Sequence, residues 1–178
     1  TFACFCHQRT TRASPLYFTL LYHYTEMHKP TNSWRLIADI FPQQTDAYLW
    51  SRTTPNEALI QRLKRFSGNN LILFPCTDKR KSIGSHLNAL PNNKAPLNII
   101  VLDATWRLAS KMLHQSRWLD EIPTLSIDEE AIRSFKVRHA KHDNQFATAE
   151  VAAMLLAQAH ATECSQVLAK YYQAFNEH

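Results

Sequence analysis

Glycine is almost missing from this 178-residue chain, which contains only Gly68 and Gly84. The dinucleotide fingerprint G-x-G-x-x-G needs three glycines within six positions, and a P-loop needs two glycines followed by Lys and then Ser or Thr. Neither motif can be formed here. A nucleoside-containing cofactor would therefore have to be held without a glycine-rich phosphate loop.

Long apolar runs are missing as well, and no stretch approaches the roughly 18 residues that a membrane helix needs. The first residues, TFAC, lack the basic segment and apolar stretch of a signal peptide, so we interpret them as the start of a chain that begins partway into a longer protein. The four cysteines, Cys4, Cys6, Cys76 and Cys164, do not have the spacing of a disulfide framework. These features predict a protein of the reducing cytoplasm without membrane association.

Acidic residues are fewer than basic ones, 15 against 20, which gives a formal net charge of +5. A moderately basic domain is compatible with a polyanionic partner, although many basic proteins bind no nucleic acid. The hydrophobic fraction of 45% and the charged fraction of 20% are ordinary for a globular protein. The length favours a single domain.

Apolar runs alternate with amphipathic segments along the chain. The predicted strands are residues 16–22, 70–74, 97–102 and 123–127. The predicted helices are residues 34–41, 55–66 (with a Thr54 cap), 105–116 and 148 to about 175, with shorter helical pieces near 82–90 and 128–134. Strands that alternate with helices and carry near-continuous apolar runs predict an α/β fold with a mainly parallel sheet.

The ends of two predicted strands carry chemically active side chains. Ligands in open α/β sheets bind beyond the carboxyl ends of the strands. Asp103 follows four apolar residues and precedes a helix, so its carboxylate can face a ligand; alternatively, Asp103 or Thr105 caps that helix. Trp106 is either a core residue or a stacking wall for an adenine or a flipped base.

Basic clusters have two interpretations, a solvated surface or contacts with an RNA backbone. They comprise Arg62, Lys64 and Arg65; Lys79, Arg80 and Lys81; and four cations between Arg133 and Lys141. Glu150 lies in the first turn of the last predicted helix, where the helix dipole favours a carboxylate in any case. The polar segment from His23 to Arg35 contains histidines but no set of ligands that would complete a metal site.

Taken in order, these segments resemble the DTW-domain family, tRNA-uridine aminocarboxypropyltransferases that are distant relatives of the SPOUT class of S-adenosylmethionine enzymes. The name-giving Asp-x-Thr-Trp motif corresponds to Asp103-Ala104-Thr105-Trp106, and further matches lie at residues 23–26, 32–36, 73–75, 138 and 147–150. The chain departs from the family pattern where Tyr24 stands for proline, Ser33 for threonine and Ala147 for serine.

The resemblance implies a SPOUT-like α/β domain over residues 16–178, with a mainly parallel sheet flanked by helices and a C-terminal trefoil knot that holds the cofactor. Residues 1–15 would be the remnant of a cysteine segment. The implied reaction transfers the 3-amino-3-carboxypropyl group of S-adenosylmethionine to N3 of a uridine in the variable loop of tRNA and releases methylthioadenosine. The alternatives are a SPOUT-type RNA methyltransferase and a non-catalytic RNA-binding protein. No obligate protein partner is implied.

The candidate site residues fall into four groups. Catalytic roles are predicted for Asp103 and Glu150. Cofactor contacts are predicted for Leu73, Phe74, Pro75, Leu102, Asp103, Thr105, Trp106, Leu125, Arg138 and Thr148. RNA contacts are predicted for His23, Glu26, Lys29, Asn32, Arg35, Lys79, Arg80, Lys81, Arg107 and Lys136. Cys4 and Cys6 are predicted as half of a structural zinc site.

Overall fold

The computed structural model describes residues 6–27, 29, 32–74, 95–127 and 147–177. The strands are β1 (Leu16–Tyr22), β2 (Thr45–Leu49), β3 (Asn70–Leu73), β4 (Leu97–Asp103) and β5 (Thr124–Leu125). The helices are α1 (Trp34–Ile40), α2 (Glu57–Arg65), α3 (Trp106–Gln115), α4 (Thr148–Gln158) and α5 (Thr162–Glu177). Short 3-10 turns cover Cys6–Gln8, Tyr24–Glu26 and Arg117–Leu119.

The five strands form one sheet in the order β2-β1-β4-β3-β5, and all of the neighbouring pairs are parallel. The predicted α/β fold with a mainly parallel sheet is confirmed. The central pair runs from Leu16 opposite Leu97 to Tyr22 opposite Asp103. After β1 the chain continues into α1 on one face, and after β4 it continues into α3 on the other. The crevice between these two strand ends is therefore a topological switch point.

Helices cover both faces of the sheet, which explains why the strands are apolar on both sides. On the first face, α1, α4 and α5 pack against a cluster that includes Phe18, Leu20, Ile99 and Val101. On the second face, α2 and α3 pack against a cluster that includes Leu21, Ile72, Ile100 and Leu102. Because side chains alternate along a strand, Asp103 shares the first face with Ile99 and Val101.

The predicted long C-terminal helix is wrong, because it is two helices, α4 and α5. His160 between them has a positive φ of 59°, which ends α4. The Ala161 N–H donates to the Leu156 carbonyl at 2.9 Å, the long-range bond of a Schellman-type cap. The sequence hides this stop because the left-handed position holds a histidine instead of a glycine.

Two further elements differ from the sequence prediction. The second helix begins at Glu57 instead of Pro55, and Asn56 caps it by accepting a hydrogen bond from the Ala58 N–H at 2.8 Å. Edge strand β2 was missed, since Thr45–Leu49 is short and carries a charged Asp46.

Arg62 is buried, so neither interpretation of its basic cluster, a solvated surface or contact with an RNA backbone, holds for this residue. Its guanidinium forms an ion pair with Asp46 and donates to the Thr19 hydroxyl at 2.7 Å. It also donates to the carbonyls of Phe18 and Gln44 at 3.0 and 3.1 Å. This arginine therefore holds α2 against both β1 and β2.

The C-terminal knot stays a prediction, because residues 75–94 and 128–146 lie outside the described part of the chain. The short helical pieces predicted near 82–90 and 128–134 fall in the same two segments. Among the described helices, none combines the length and apolar character that a membrane crossing requires.

Candidate active site at the carboxyl edge of the sheet

The carboxylate of Asp103 lies at the centre of the candidate site. Asp103 ends β4 and is buried, with 7% of its surface exposed. Its Oδ2 accepts a hydrogen bond from the Asn32 amide at 2.8 Å, and its Oδ1 accepts one from the Thr148 hydroxyl at 3.0 Å. The carboxylate is thus held from two sides, by the segment after β1 and by the first residue of α4.

Burial is the main cause of a raised pKa at the Asp103 carboxyl, because it removes water from the charged form. The hydrogen bonds from Asn32 and Thr148 oppose this effect, since they stabilise the ionised carboxylate. The nearby charge of Glu26 raises the pKa further, and that of Lys29 lowers it. A carboxyl whose pKa is shifted toward neutrality is suited to exchange a proton with a ligand.

Asn32 uses both of its amide hydrogens inside the protein. Besides the bond to Asp103, its Nδ2 donates to the Glu26 carbonyl oxygen at 3.1 Å. The neighbouring Ser33 hydroxyl accepts a hydrogen bond from the Ala149 N–H at 3.2 Å. The segment before α1 therefore closes on the start of α4, and no amide hydrogen of Asn32 remains for the predicted RNA contact.

A second carboxylate lies in the 3-10 turn after β1. Glu26 is buried, and its Oε1 accepts a hydrogen bond from the Lys29 ammonium at 2.6 Å. Since the charge of Glu26 acts on the pKa of Asp103, the two carboxylates share one electrostatic environment. The carboxyl edge of the sheet therefore carries two acidic groups and one half-exposed ammonium.

The helix-capping alternative for Asp103 is wrong. Its side chain bonds to Asn32 and Thr148 instead of the first N–H groups of α3. Thr105 occupies the N-cap position of that helix, but its hydroxyl makes no capping hydrogen bond.

Trp106 lies on the surface, with 62% of its area exposed, so the core alternative for this residue is wrong. Its indole lies nearly parallel to the Phe74 ring, at 8° and a centroid distance of 4.9 Å. Phe74 itself is buried at the end of β3, where its N–H donates to the Leu125 carbonyl. The Trp106 indole, stacked on Phe74, presents a flat apolar surface beside the Asp103 end of the sheet.

Glu150 has a structural position at the start of α4. Its carboxylate accepts a hydrogen bond from the Ala147 N–H at 2.8 Å, which satisfies a free donor of the helix terminus. Glu150 also faces the phenol of Tyr172, whose pKa burial raises. The catalytic role of Glu150 stays a prediction.

The remaining candidates are distributed around the same edge. Leu102 and Leu125 are buried in the two core clusters, and Leu73 packs partly buried against the first. Arg35 and Arg107 are exposed, and Arg35 donates to the Met27 carbonyl at 2.8 Å. His23 is half-buried beside β1.

Several candidates lie outside the described residues, namely Cys4, Pro75, Lys79, Arg80, Lys81, Lys136 and Arg138. Cys6 begins the first 3-10 turn. Within the described ranges, no three His, Cys, Asp or Glu residues are grouped closely enough to hold a metal ion. The zinc site therefore stays a prediction.

Sequence reasoning missed the roles of Ser33 and Trp50 at this edge. Ser33 was only a departure from a family pattern, yet its hydroxyl links the segment before α1 to α4. Trp50 follows the missed strand β2, and its N–H donates to the Tyr22 carbonyl at 2.9 Å. Recognition of β2 would have placed Trp50 at the carboxyl edge.

The family model described as the DTW domain matches residues 1–178, the full length of the chain. No solved structure matches the chain.

Proposed function

The chain belongs to the DTW-domain family, the family of tRNA-uridine aminocarboxypropyltransferases, and from this premise we propose that it transfers the 3-amino-3-carboxypropyl group of S-adenosylmethionine to N3 of a tRNA uridine. The observation that carries the proposal is the buried carboxylate of Asp103, held at the switch point by Asn32 and Thr148. It stands in the family's name-giving motif and at the position where open α/β sheets bind their ligands.

The chemistry of the described residues fits the donor. S-adenosylmethionine carries a sulfonium and an ammonium, and the edge of the sheet offers the carboxylates of Asp103 and Glu26. It also carries an adenine, for which Trp106 on Phe74 offers a flat apolar surface. It has no phosphate, which agrees with a chain of two glycines.

The donor supplies an activated carbon, because a sulfonium makes the γ-carbon of its methionine part electrophilic and departs as neutral methylthioadenosine. In the balanced reaction the bond from N3 to this carbon forms, the carbon–sulfur bond breaks, and the N3 proton is released. We assign acceptance of that proton to Asp103. Each carboxylate oxygen retains acceptor capacity beyond the bond it already makes with Asn32 or Thr148.

Asn32 and Thr148 are positioning residues in this scheme. They fix the two oxygens of Asp103 from opposite sides, and the Ser33–Ala149 bond holds the same two segments together. Positioning is expected to dominate catalysis, since the choice among the three activated carbons of a sulfonium depends on which one faces the nucleophile.

The proposal is tested by incubation of the protein with unmodified tRNA and S-adenosylmethionine, followed by mass spectrometry of the nucleosides. We expect aminocarboxypropyl-uridine together with methylthioadenosine. Asp103→Asn is expected to form no product. Glu57→Gln, which removes an exposed carboxylate from the first turn of α2, is the matched control and is expected to retain activity.

Other products would overturn the proposal. A methylated nucleoside with S-adenosylhomocysteine would identify a methyltransferase. Bound tRNA without any product would identify an RNA-binding protein. Full activity of a folded Asp103→Asn protein would remove Asp103 from the chemistry and leave the reaction type to be judged from the product.

A further inference from the structure

We propose that three aromatic rings, those of Trp50, His23 and Tyr24, form a platform on which one unpaired nucleobase of the substrate RNA stacks. We call these three residues the aromatic row. The inference deepens the proposed function, since it rests on tRNA as the substrate. It assigns a base-binding subsite that is separate from Asp103 and from the Trp106–Phe74 pair.

The row ends in an exposed ring. The His23 ring lies 5.7 Å from that of Trp50 and 4.4 Å from that of Tyr24, measured between centroids. Tyr24 is 66% exposed, the most exposed large apolar side chain among the described residues. His23 and Trp50 are half-buried, so they support Tyr24 from the protein side.

The two inner rings are held in place by hydrogen bonds. The indole N–H of Trp50 donates to the Ser116 hydroxyl at 2.8 Å, and that hydroxyl donates to the Met112 carbonyl at 2.7 Å. Nδ1 of His23 lies 2.8 Å from the Thr25 hydroxyl and accepts the Thr25 N–H at 3.3 Å. A fixed aromatic surface loses little conformational entropy on binding, which favours its use as a stacking support.

Backbone contacts place the row beside the reacting carboxylate. The His23 N–H donates to the Asp103 carbonyl at 3.4 Å, and the Trp50 N–H donates to the Tyr22 carbonyl at 2.9 Å. The row thus continues from the carboxyl ends of β1 and β2, next to the end of β4. A base stacked on Tyr24 would lie at the same edge of the sheet as Asp103.

The surroundings of Tyr24 favour a nucleobase over a protein partner. Lys29 and Arg35 follow it in the same segment, with cationic side chains that are partly or fully exposed. Cations in the same segment as an exposed aromatic ring are typical of surfaces that track single-stranded nucleic acid. In addition, N3 of uridine lies on its pairing edge, so the RNA must present unpaired bases at this site.

The experiment measures the affinity of an unmodified tRNA transcript by fluorescence anisotropy, and the kinetics of modification with the same transcript. Tyr24→Ala is expected to weaken tRNA binding by about 5- to 150-fold, the effect of losing one aromatic–base stack. Tyr24→Phe keeps the ring and is expected to bind like the native protein. The KM for S-adenosylmethionine and the identity of the product are expected to stay the same.

A second series identifies the base. Transcripts with single abasic sites in the modified loop are titrated against the native protein and Tyr24→Ala. At the stacked position, the abasic site weakens binding to the native protein but not to Tyr24→Ala. If every abasic site weakens binding to the native protein and to Tyr24→Ala by the same factor, no base depends on Tyr24. That result would overturn the proposal.

Leu49→Ala is the matched control, since it removes an exposed apolar side chain from the end of β2, outside the row. An equal loss of affinity in this variant would assign the effect to apolar surface in general and overturn stacking. Unchanged affinity of Tyr24→Ala would also overturn it. Binding is measured without donor and product is identified separately, so failure of the platform and failure of the proposed reaction are distinguishable.

Discussion

Burial raises the pKa of the Asp103 carboxyl, which means that the folded protein binds this proton more tightly than the unfolded chain does. Its contribution to stability is therefore fully present below the ordinary value of 3.8 and is lost as the pH rises through the raised pKa. Above that raised pKa the charged carboxylate is kept at a cost to stability, as is common for functional groups.

Asp103→Asn is expected to increase the free energy of unfolding at neutral pH. The new amide can accept from Asn32 with its oxygen and donate to the Thr148 hydroxyl with its nitrogen, so both native partners are retained. The gain over the native protein is expected to shrink as the pH falls toward 3.8, where native Asp103 is protonated. Urea unfolding of both proteins between pH 4 and 8 measures this difference in the free energy of unfolding. A pH-independent difference would contradict this account.

Thr148→Val is expected to lower kcat by about 10- to 100-fold, since it removes a hydrogen bond to a charged group worth about 1.5–3 kcal/mol. Without that hydroxyl the pKa of Asp103 rises further, so the acidic limb of the pH–rate profile moves to higher pH. Thr148→Ser keeps the donor and is expected to restore both the rate and the profile. A loss of rate without displacement of the limb would make Thr148 merely structural.

The position of Asp103 could be predicted from the sequence, because a carboxylate directly after a buried strand lies at the carboxyl edge of the sheet. Its partners could not. Asn32 lies 71 positions away and Thr148 lies 45 positions away. Both were site candidates only through the family resemblance, which does not pair them with Asp103, and the packing of α1 and α4 on one face brings them together.

Among the helices and strands, the break between α4 and α5 makes a specific prediction. His160 has a φ of 59°, a conformation that costs an L-residue with a side chain roughly 1 kcal/mol. His160→Gly is expected to stabilise the protein by about 0.5–1 kcal/mol in urea unfolding. Gly68→Ala is the opposite control. The φ of Gly68 is 79°, and an added Cβ would meet no atom within 4 Å. Backbone strain alone should therefore lower the stability of this variant. Lower stability of the His160→Gly variant would contradict the assignment of a strained C-terminal cap at His160.

Strong local signals account for the elements that could be predicted. The run at β1 has the predicted bounds, and β4 differs by one residue, because both are continuous apolar segments. Local sequence signals did not predict the elements whose formation or end depends on tertiary contacts. Strand β2 has the half-exposed pattern of an edge, and the stop after α4 contains neither glycine nor proline.

At the scale of the whole protein, Arg62 links α2 to two strands. Its loss should therefore lower the free energy of unfolding of the whole domain. Arg62→Ala leaves the Phe18 and Gln44 carbonyls without this donor and is expected to cost about 2–3 kcal/mol of stability. Lys64→Ala, at an exposed site on the same helix, should change stability by no more than about 0.5 kcal/mol. Parallel urea titrations compare them. Equal effects would show that the Arg62 contacts contribute little.

The order of the strands could not be predicted from the sequence. Apolar runs predict parallel strands, but nothing local places β4 between β1 and β3. That placement makes the switch point and so decides where the site lies. The polar residues at the strand ends could be assigned to one site only when the strand order showed which ends are adjacent.

The pairing of Leu16 with Leu97 also has a consequence for biosynthesis. While the ribosome is still making α2, β1 can already meet β2, but the opposite edge of β1 has no partner until β4 emerges. Such distant pairings form slowly because a long loop must close first. Thr148 arrives later still, so Asp103 acquires its second hydrogen bond only near the end of translation. A nascent chain that stalls before β4 therefore exposes an apolar strand edge, whereas one that stalls between β4 and α4 has this edge paired but lacks one partner of the Asp103 carboxylate.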